Sequence, residues 1–237
     1  MAISKHMLIL ANSIKHYPSV CIAGREINST GQRYEIGPWI RPVSDHNEGA
    51  LAPNEVRLKQ KRPPRVFDFV EIGLSQKCVD PLQPENWLIE PGNTWTSVNG
   101  SYERPTLESL VEQPNEIWLA RSERSDRITS NALKRLRPSQ SLYLVHIPQV
   151  NVSLGWRQWD GQYKARRRAI FTYNGVEYDL GITDPIFLEK YRGQYPAKGE
   201  RPNVFSIGSG NGVYLCVSLA PEFNGYHYKV AATIFES

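Results

Sequence analysis

The sequence predicts a mainly β protein with a few short helices, and three observations support this prediction. Apolar residues alternate with polar ones along many segments, as at Val70, Ile72 and Leu74. The dipeptide Asn-Gly, which suits the type I′ turn of a β-hairpin, occurs four times. Glycine and proline, at 17 residues each, are frequent enough for many turns but too few for a low-complexity chain.

Strands account for most of the predicted elements. Period-two alternation places them at 7–11, 20–27, 34–43, 66–74, 142–147, 150–156, 164–173, 176–182, 213–219 and 226–235. We expect at least two of the Asn-Gly pairs to be hairpin tips. Asn174-Gly175 is the best candidate, because β-rich segments lie on both sides of it.

Helices are predicted at about 106–113, at about 129–136 and from Asp184 to about residue 192, with Pro185 in the first turn. The segment 193–211 is rich in Gly, Pro, Ser and Asn, and is predicted to be a long connection.

A chain of 237 residues forms one large domain or two small ones. The layout fits a barrel at 1–104, a helical and basic connector at 105–139 and a second barrel at 140–237. One long mixed sandwich is the competing arrangement.

The composition is that of an ordinary globular protein, with 40% apolar and 22% charged residues. The longest apolar run, at 7–11, is far too short to cross a bilayer, so we expect a cytoplasmic protein without membrane contact. The three cysteines are expected to be free buried thiols. Because no Cys or His pair has the spacing of a zinc site, no metal or cofactor is predicted.

Positive charge is concentrated in the second half of the chain. Residues 1–120 carry a net charge of −2 and residues 121–237 a net charge of +6. Between Arg121 and Arg168, 11 basic residues accompany only three acidic ones. Such an excess attracts polyanions. A second basic run, at 57–65, is predicted to be an exposed loop, for which a solvated surface is an equally good interpretation.

The sequence contains none of the common catalytic motifs. It has no Walker loop, dinucleotide fingerprint, Gly-x-Ser-x-Gly elbow or zinc-protease helix. The glycine-rich run at 208–212 lacks the following helix that phosphate cradles use. We therefore expect a binding protein rather than an enzyme.

The stretch 156–173 interleaves cations with aromatic residues, a combination that binds single-stranded nucleic acid. Strand alternation places Lys164, Arg166 and Arg168 on one face and the odd-numbered residues 163–169 on the other. The three cations would span roughly 13 Å, which is comparable to two or three backbone phosphates.

A structural interpretation of the same stretch is equally good. In it, Trp156 is a core residue and the arginines pair with Glu177 and Asp179 across the hairpin. Most of the other tryptophans are expected in the core. Trp39 is the exception that we single out as a stacking candidate, because Arg41 lies close to it in sequence.

Several segments together resemble a family of bacterial proteins described as dual OB-containing domains. The matching stretches are LILANSIKHYPSVCIAGREI at 8–27, GPWIRPVS at 37–44, RVFDFVEIGL at 65–74, QPENWLI at 83–89, SDRI at 125–128, SLYLVHI at 141–147, RRRAIFTYNGVEYDLGITDP at 166–185 and VYLCVSLAPEFNGYHYKVAATIF at 213–235. They follow one another over nearly the whole chain. The resemblance implies two OB-like β-barrels joined by a short helical connector.

OB barrels bind oligonucleotides and oligosaccharides on an open strand face, so the resemblance implies a nucleic-acid ligand by analogy of fold. It also implies a setting in bacterial defence or DNA processing. Lys15, Arg41 and Lys229 lie in matching segments and are secondary candidates for contact with the ligand. A structural ion pair is the alternative role for each of them.

We predict a non-catalytic nucleic-acid-binding protein in which Lys164, Arg166 and Arg168 contact the backbone while Trp156 or Trp39 stacks on bases. DNA and RNA, in single or double strands, are equally compatible with the sequence.

Two alternative functions remain open. In the first, a small nucleotide or modified base is sensed between the two barrels, in a pocket containing Asn12, Ser13 and Arg41. In the second, the protein is a scaffold subunit whose basic face docks an acidic partner protein.

Overall fold

The computed structural model describes residues 3–30, 33–92, 94–119, 123 and 125–236. The chain is mainly β, with 52% of its residues in strands, and divides into two compact units. The first unit comprises Met1–Thr106 and Ser139–Ser141, and the second comprises Leu107–Pro138 and Leu142–Ser237. The segment 105–139, predicted as a connector, therefore falls almost wholly within the second unit.

The first unit contains a closed barrel. Its strands are β1 (Ile3–His16), β2 (Ser19–Thr30), β3 (Arg33–Val43), β4 (Phe69–Lys77), β5 (Asn86–Ile89) and β6 (Thr96–Ser97). They pair in the order β1-β2-β3-β5-β4, and β4 pairs back onto β1, which closes a five-stranded barrel. The short strand β6 adds to β4. A one-turn 3-10 helix, Asn47–Gly49, follows β3.

Alternation along the strands fills the barrel interior. Met7 and Ile9 from β1 pack in one cluster with Val70 and Ile72 from β4. The strand predicted at 66–74 begins only at Phe69. Phe67, two residues before Phe69, has a positive φ of 66°, and the turn at Phe67 delays the start of the strand.

The second unit is built on an eight-stranded sheet. Its strands are β7 (Arg127–Thr129), β8 (Leu142–Ile147), β9 (Val150–Trp159), β10 (Gln162–Tyr173), β11 (Val176–Ile182), β12 (Asn203–Ile207), β13 (Val213–Phe223) and β14 (Tyr226–Glu236). The order is β12-β9-β10-β11-β14-β13-β8, and β7 pairs with β14. Its helices are α1 (Leu107–Leu110), α2 (Ser130–Leu136), α3 (Pro185–Lys190) and the 3-10 turn Arg192–Gln194.

The predicted hairpin tips are confirmed at two Asn-Gly pairs. Asn174 and Gly175 have φ values of 48° and 78° between β10 and β11, and the pair at 224–225 has φ values of 51° and 79° between β13 and β14. Asp160 and Gly161 make a third tip of this kind, between β9 and β10.

The starts of two helices follow the predicted capping chemistry. Thr129 caps α2 by accepting a hydrogen bond from the backbone of Ala132. Asp184 caps α3, in which Pro185 is the first residue.

The prediction of a strandless connection at 193–211 is wrong, because β12 lies within it. This strand of five residues pairs along the edge of β9 and lies in a segment rich in Gly, Pro, Ser and Asn. Local composition therefore concealed it.

Candidate nucleic-acid interface

The hairpin of β9 and β10 extends beyond its neighbouring strands. The strand β12 pairs with β9 only as far as Leu154, and β11 pairs with β10 only from Arg168. Pro202, which precedes β12, has no backbone N–H to continue the ladder. Residues 156–167 therefore form a two-stranded ribbon, named here the ribbon, and most of its side chains are exposed on both faces.

The pairing register decides which side chains share a face of the ribbon. Arg157 is opposite Lys164, and Gly155 is opposite Arg166, with no shift along the ladder. Opposed residues lie on the same side of a sheet, so Arg157 lies beside Lys164 on the face that also carries Arg166 and Arg168. These four residues are named here the cation row. The predicted common face of Lys164, Arg166 and Arg168 is confirmed.

Arg157 is a member of this row that the sequence analysis did not select. The Asp160-Gly161 turn sets the register that brings it opposite Lys164. Recognition of Asp-Gly as a type I′ hairpin signal would have identified this residue.

Arg168 is held by carboxylates. Its Nε lies 2.6 Å from Oδ1 of Asp179, and its Nη2 lies 3.7 Å from Oδ2 of Asp126. The structural interpretation is therefore confirmed for Arg168, whose side chain is only 19% exposed.

The other cations of the row are more open. Arg166 lies 3.7 Å from Asp179, a carboxylate it shares with Arg168, and its side chain is 45% exposed. Lys164 and Arg157 are exposed, and neither makes an ion pair with any residue that the structure describes. The same holds for Glu177, the other acid considered as a partner across the hairpin.

An exposed tryptophan completes the cationic face. Trp159 is 57% exposed, lies on the same face as Arg157 two residues further along β9, and has the Arg157 guanidinium 5.2 Å from its ring centroid. A flat aromatic surface beside cations that lack carboxylate partners can stack on a base while the cations meet phosphates.

Trp156 lies on the face of the ribbon opposite to the cation row, because it pairs with Ala165. Its ring centroid is 5.4 Å from that of Tyr195, and its Nε1 donates a hydrogen bond of 2.8 Å to the carbonyl of Pro196. The ammonium of Lys198 lies 5.5 Å from the same ring. Trp156 therefore packs against the segment that follows α3.

Three predicted contact residues are buried, which corrects their proposed direct contact with nucleic acid. Trp39 is 4% exposed and lies near Arg25, whose Cζ is 5.7 Å from its ring centroid. Arg41 is 7% exposed, with its Nη2 3.2 Å from Glu85 Oε1 and 3.0 Å from the Ser141 hydroxyl.

Lys229 is the third buried residue, at 1% exposure, and its Nζ lies 5.6 Å from the ring centroid of Tyr178. Burial lowers its pKa to about 8, although Asp126 and Glu123 oppose that shift.

The remaining predicted residues lie around the β1–β2 hairpin of the first unit. Lys15 donates to the backbone carbonyl of Glu48, and its Nζ lies 3.3 Å from the Glu48 carboxylate. The interaction of Lys15 with this carboxylate lowers the pKa of Glu48. Asn12 donates to the carbonyl of Pro64, and Ser13 is buried opposite Cys21. Burial raises the pKa of the Cys21 thiol, and the nearby charge of Arg41 opposes this effect.

The second basic run is less cationic than its sequence indicates. Arg62 forms a two-pronged pair with Asp68, at 2.6 and 2.9 Å. Burial opposes ionisation of Asp68, but hydrogen bonds from Arg62 and Asn99 bring its pKa below the ordinary value. Arg57, Lys59 and Lys61 remain exposed.

Another group of aromatic and cationic residues was missed in the sequence. The Cζ of Arg127 lies 4.7 Å from the ring centroid of Tyr226 and 5.7 Å from that of Tyr228, and its Nη1 donates to the Tyr228 hydroxyl. The Tyr-His-Tyr alternation at 226–228 was the available signal. Arg121 and Arg124, counted in the basic region, lie outside the described residues.

Metal and membrane features are not found in the part of the chain that the structure describes. It contains no group of three or more His, Cys, Asp or Glu side chains placed to hold a metal ion. None of its helices has the length and apolar character needed to span a bilayer. The three cysteines are free thiols, of which Cys216 is buried and the other two are partly exposed.

The five-stranded barrel of the first unit is the architecture of the OB class, whose members bind oligonucleotides and oligosaccharides. The family model of the dual OB-containing domain matches residues 5–234. The chain therefore belongs to the dual OB-containing domain family, as its sequence resemblance indicated. No curated protein matches the chain.

Proposed function

We propose that the protein binds single-stranded nucleic acid through the cation row and Trp159. The observation that carries this proposal is the alignment of Arg157, Lys164 and Arg166 on one exposed face, where Asp179 is the only carboxylate paired with any of the three among the described residues. Arg168 forms ion pairs with two carboxylates, so we expect it to contribute less to phosphate binding than the other three cations.

The spacing of the row suits a phosphodiester backbone. Alternate residues on a strand are about 7 Å apart, so the Lys164 and Arg166 side chains leave the same face of β10 about 7 Å from each other. Arg157 lies opposite Lys164 on the neighbouring strand, so it broadens the cationic surface at that end of the row. A flexible polyanion can therefore meet all three cations at once.

An unpaired strand fits this face better than a duplex does. Trp159 offers a ring whose stacking on a base contributes about 1–3 kcal/mol, and a base in a duplex is already stacked on its neighbours. Affinity for oligonucleotides or oligosaccharides is a general property of the OB class.

The test is the salt dependence of binding to fluorescent 20-mers of single-stranded DNA, single-stranded RNA and duplex DNA. Replacing Arg157, Lys164 and Arg166 together by Gln is expected to reduce the slope of log K against log salt by about 2 for single strands. The matched control replaces Arg57, Lys59 and Lys61 by Gln, which removes the same charge from exposed positions of the first unit.

Two results would contradict the proposal. Equal slope changes in the two triple variants would mean that only net charge matters. Tight binding of polyglutamate, with no binding of any 20-mer, would assign the same cations to an acidic protein partner.

A further inference from the structure

A shallow pocket of about 300 Å³ lies in the second unit, and its size is at the lower end for small-ligand sites. Its lining includes Gln149, Asn151, Ile170, Thr172 and Glu177. None of these residues belongs to the cation row, and the proposed backbone contacts do not use them.

The strand register places this pocket on the same sheet face as the cation row. Ile170 follows Arg168 by two residues on β10, and Asn151 is opposite Ile170 on β9. Thr172 is opposite Glu177 on β11. With about 3.3 Å per residue, Ile170 lies roughly 13 Å from Arg166 along the strand. A chain of two or three nucleotides bound on the row would therefore reach the pocket.

Hydrogen bonds fix the polar side chains on one side of the pocket. The Gln149 amide donates to the Ser206 hydroxyl at 3.1 Å, and that hydroxyl donates to Asn151 Oδ1 at 2.7 Å. The Nδ2 of Asn151 has no hydrogen-bond partner among the described residues. This donor is therefore available to a ligand.

The Glu177 side chain is an exposed acceptor at the same pocket, and Ile170 is a partly exposed apolar surface within it. A carboxylate repels phosphate but accepts hydrogen bonds from amino groups. The pocket thus combines a surface for a base ring with one donor and one acceptor for its edge.

We infer that this pocket receives an unpaired base that carries an exocyclic amino group, and that it prefers cytosine to thymine or uracil. Cytosine presents its N4 amino group to a carboxylate such as Glu177, and its ring acceptors to an amide donor such as Asn151. Thymine and uracil present a carbonyl oxygen where the amino group would be, which leaves the carboxylate opposed to an acceptor. The inference rests on the proposed function and adds base selectivity to it.

The experiment compares fluorescent (dC)12 with (dT)12, and (rC)12 with (rU)12, at one salt concentration. We expect the protein to prefer the cytosine oligomer of each pair by about fivefold, at the lower end of direct base readout. Glu177→Ala and Asn151→Ala should each bring that ratio close to one. The control Glu35→Ala removes an exposed strand glutamate from the first unit, and should keep the preference.

The outcomes separate this inference from the proposed function. Equal affinity for cytosine and thymine oligomers, with the slope change of the cation-row variant intact, would overturn only the base pocket. A cytosine preference that survives both pocket variants would also overturn it. If no oligomer binds, the proposed function and the base pocket fail together.

Discussion

Arg41 in the first unit and Arg166 in the second show two opposite uses of an arginine on a strand. Arg41 is 7% exposed and lies between Glu85 and Ser141. The side chain of Arg166 is 45% exposed, and its nearest carboxylate is 3.7 Å away and shared. Arg41 is held in the core by these partners, whereas Arg166 is exposed and can interact with a ligand.

The difference follows from where each strand lies. Arg41 is on β3, which pairs with β2 and β5 within a closed barrel. Arg166 is on the part of β10 that extends past β11, where water screens its charge. A basic residue in a matching family segment is therefore not by itself a ligand contact, and burial has to be known first.

The largest effect is expected at the buried pair of Arg41 and Glu85. Replacing Arg41 by Ala leaves the Glu85 carboxylate, itself 5% exposed, without its cation. We expect the free energy of unfolding of the first unit to fall by about 3–5 kcal/mol, as measured by urea unfolding.

The control for this prediction is the double variant R41M/E85L, which removes both charges while retaining apolar volume. It should recover most of the lost stability, because no unpaired charge stays buried. A loss below about 1 kcal/mol for Arg41→Ala would mean that water reaches Glu85.

The buried Lys229 should produce a pH dependence that the cation row does not. Its pKa is about 8 in the folded protein against 10.5 ordinarily, so the unfolded state binds more protons between these values. The free energy of unfolding should therefore rise by up to about 3 kcal/mol as the pH increases from 8 to 10.5. Below 8 Lys229 is protonated in both states, so it adds no further change with pH.

Lys229→Met isolates this contribution, because the variant cannot titrate there. In chemical unfolding at pH 7.5, 8.5 and 9.5, the free energy of unfolding of the wild type should increase relative to that of the variant as the pH rises. Lys164→Met, at an exposed position, is the comparison and should follow the wild-type profile. Parallel curves for Lys229→Met and wild type would show that Lys229 titrates normally.

The smallest effects on stability are expected at Arg166 and Arg168, and they should differ between these two residues of β10. Arg168→Gln leaves Asp179 and Asp126 without their main cation and should lower stability by about 1–2 kcal/mol in thermal unfolding. Arg166→Gln should cost less than about 0.5 kcal/mol. Binding should reverse the order, with Arg166→Gln causing the larger drop in salt slope. Equal effects in both assays would remove the distinction between them.

Much of the fold was predictable because its signals are local. The strands at 142–147 and 176–182 were predicted to the residue, since apolar alternation and turn residues mark both ends. The caps Thr129 and Asp184 act within three residues of their own positions. The edge strand β12 has only five residues within a segment rich in Gly, Pro, Ser and Asn, and it was missed.

The site was only partly predictable for the same reason. The common face of Lys164 and Arg166 follows from alternation alone. The pairing of Arg168 with Asp126 joins distant segments, and the burial of Lys229 beneath Tyr178 depends on how β11 and β14 lie side by side. Neither is encoded in a short window of sequence.

The sequence by itself determined the mainly β architecture, the hairpins at 174–175 and 224–225 and the run of cations on one strand face. These depend on backbone preferences and side-chain periodicity, which act over a few residues. Only the tertiary structure decided which cations are exposed and which are neutralised by carboxylates. Solvent access and ion pairing depend on contacts between residues far apart in the chain, and these contacts form only when the strands are assembled.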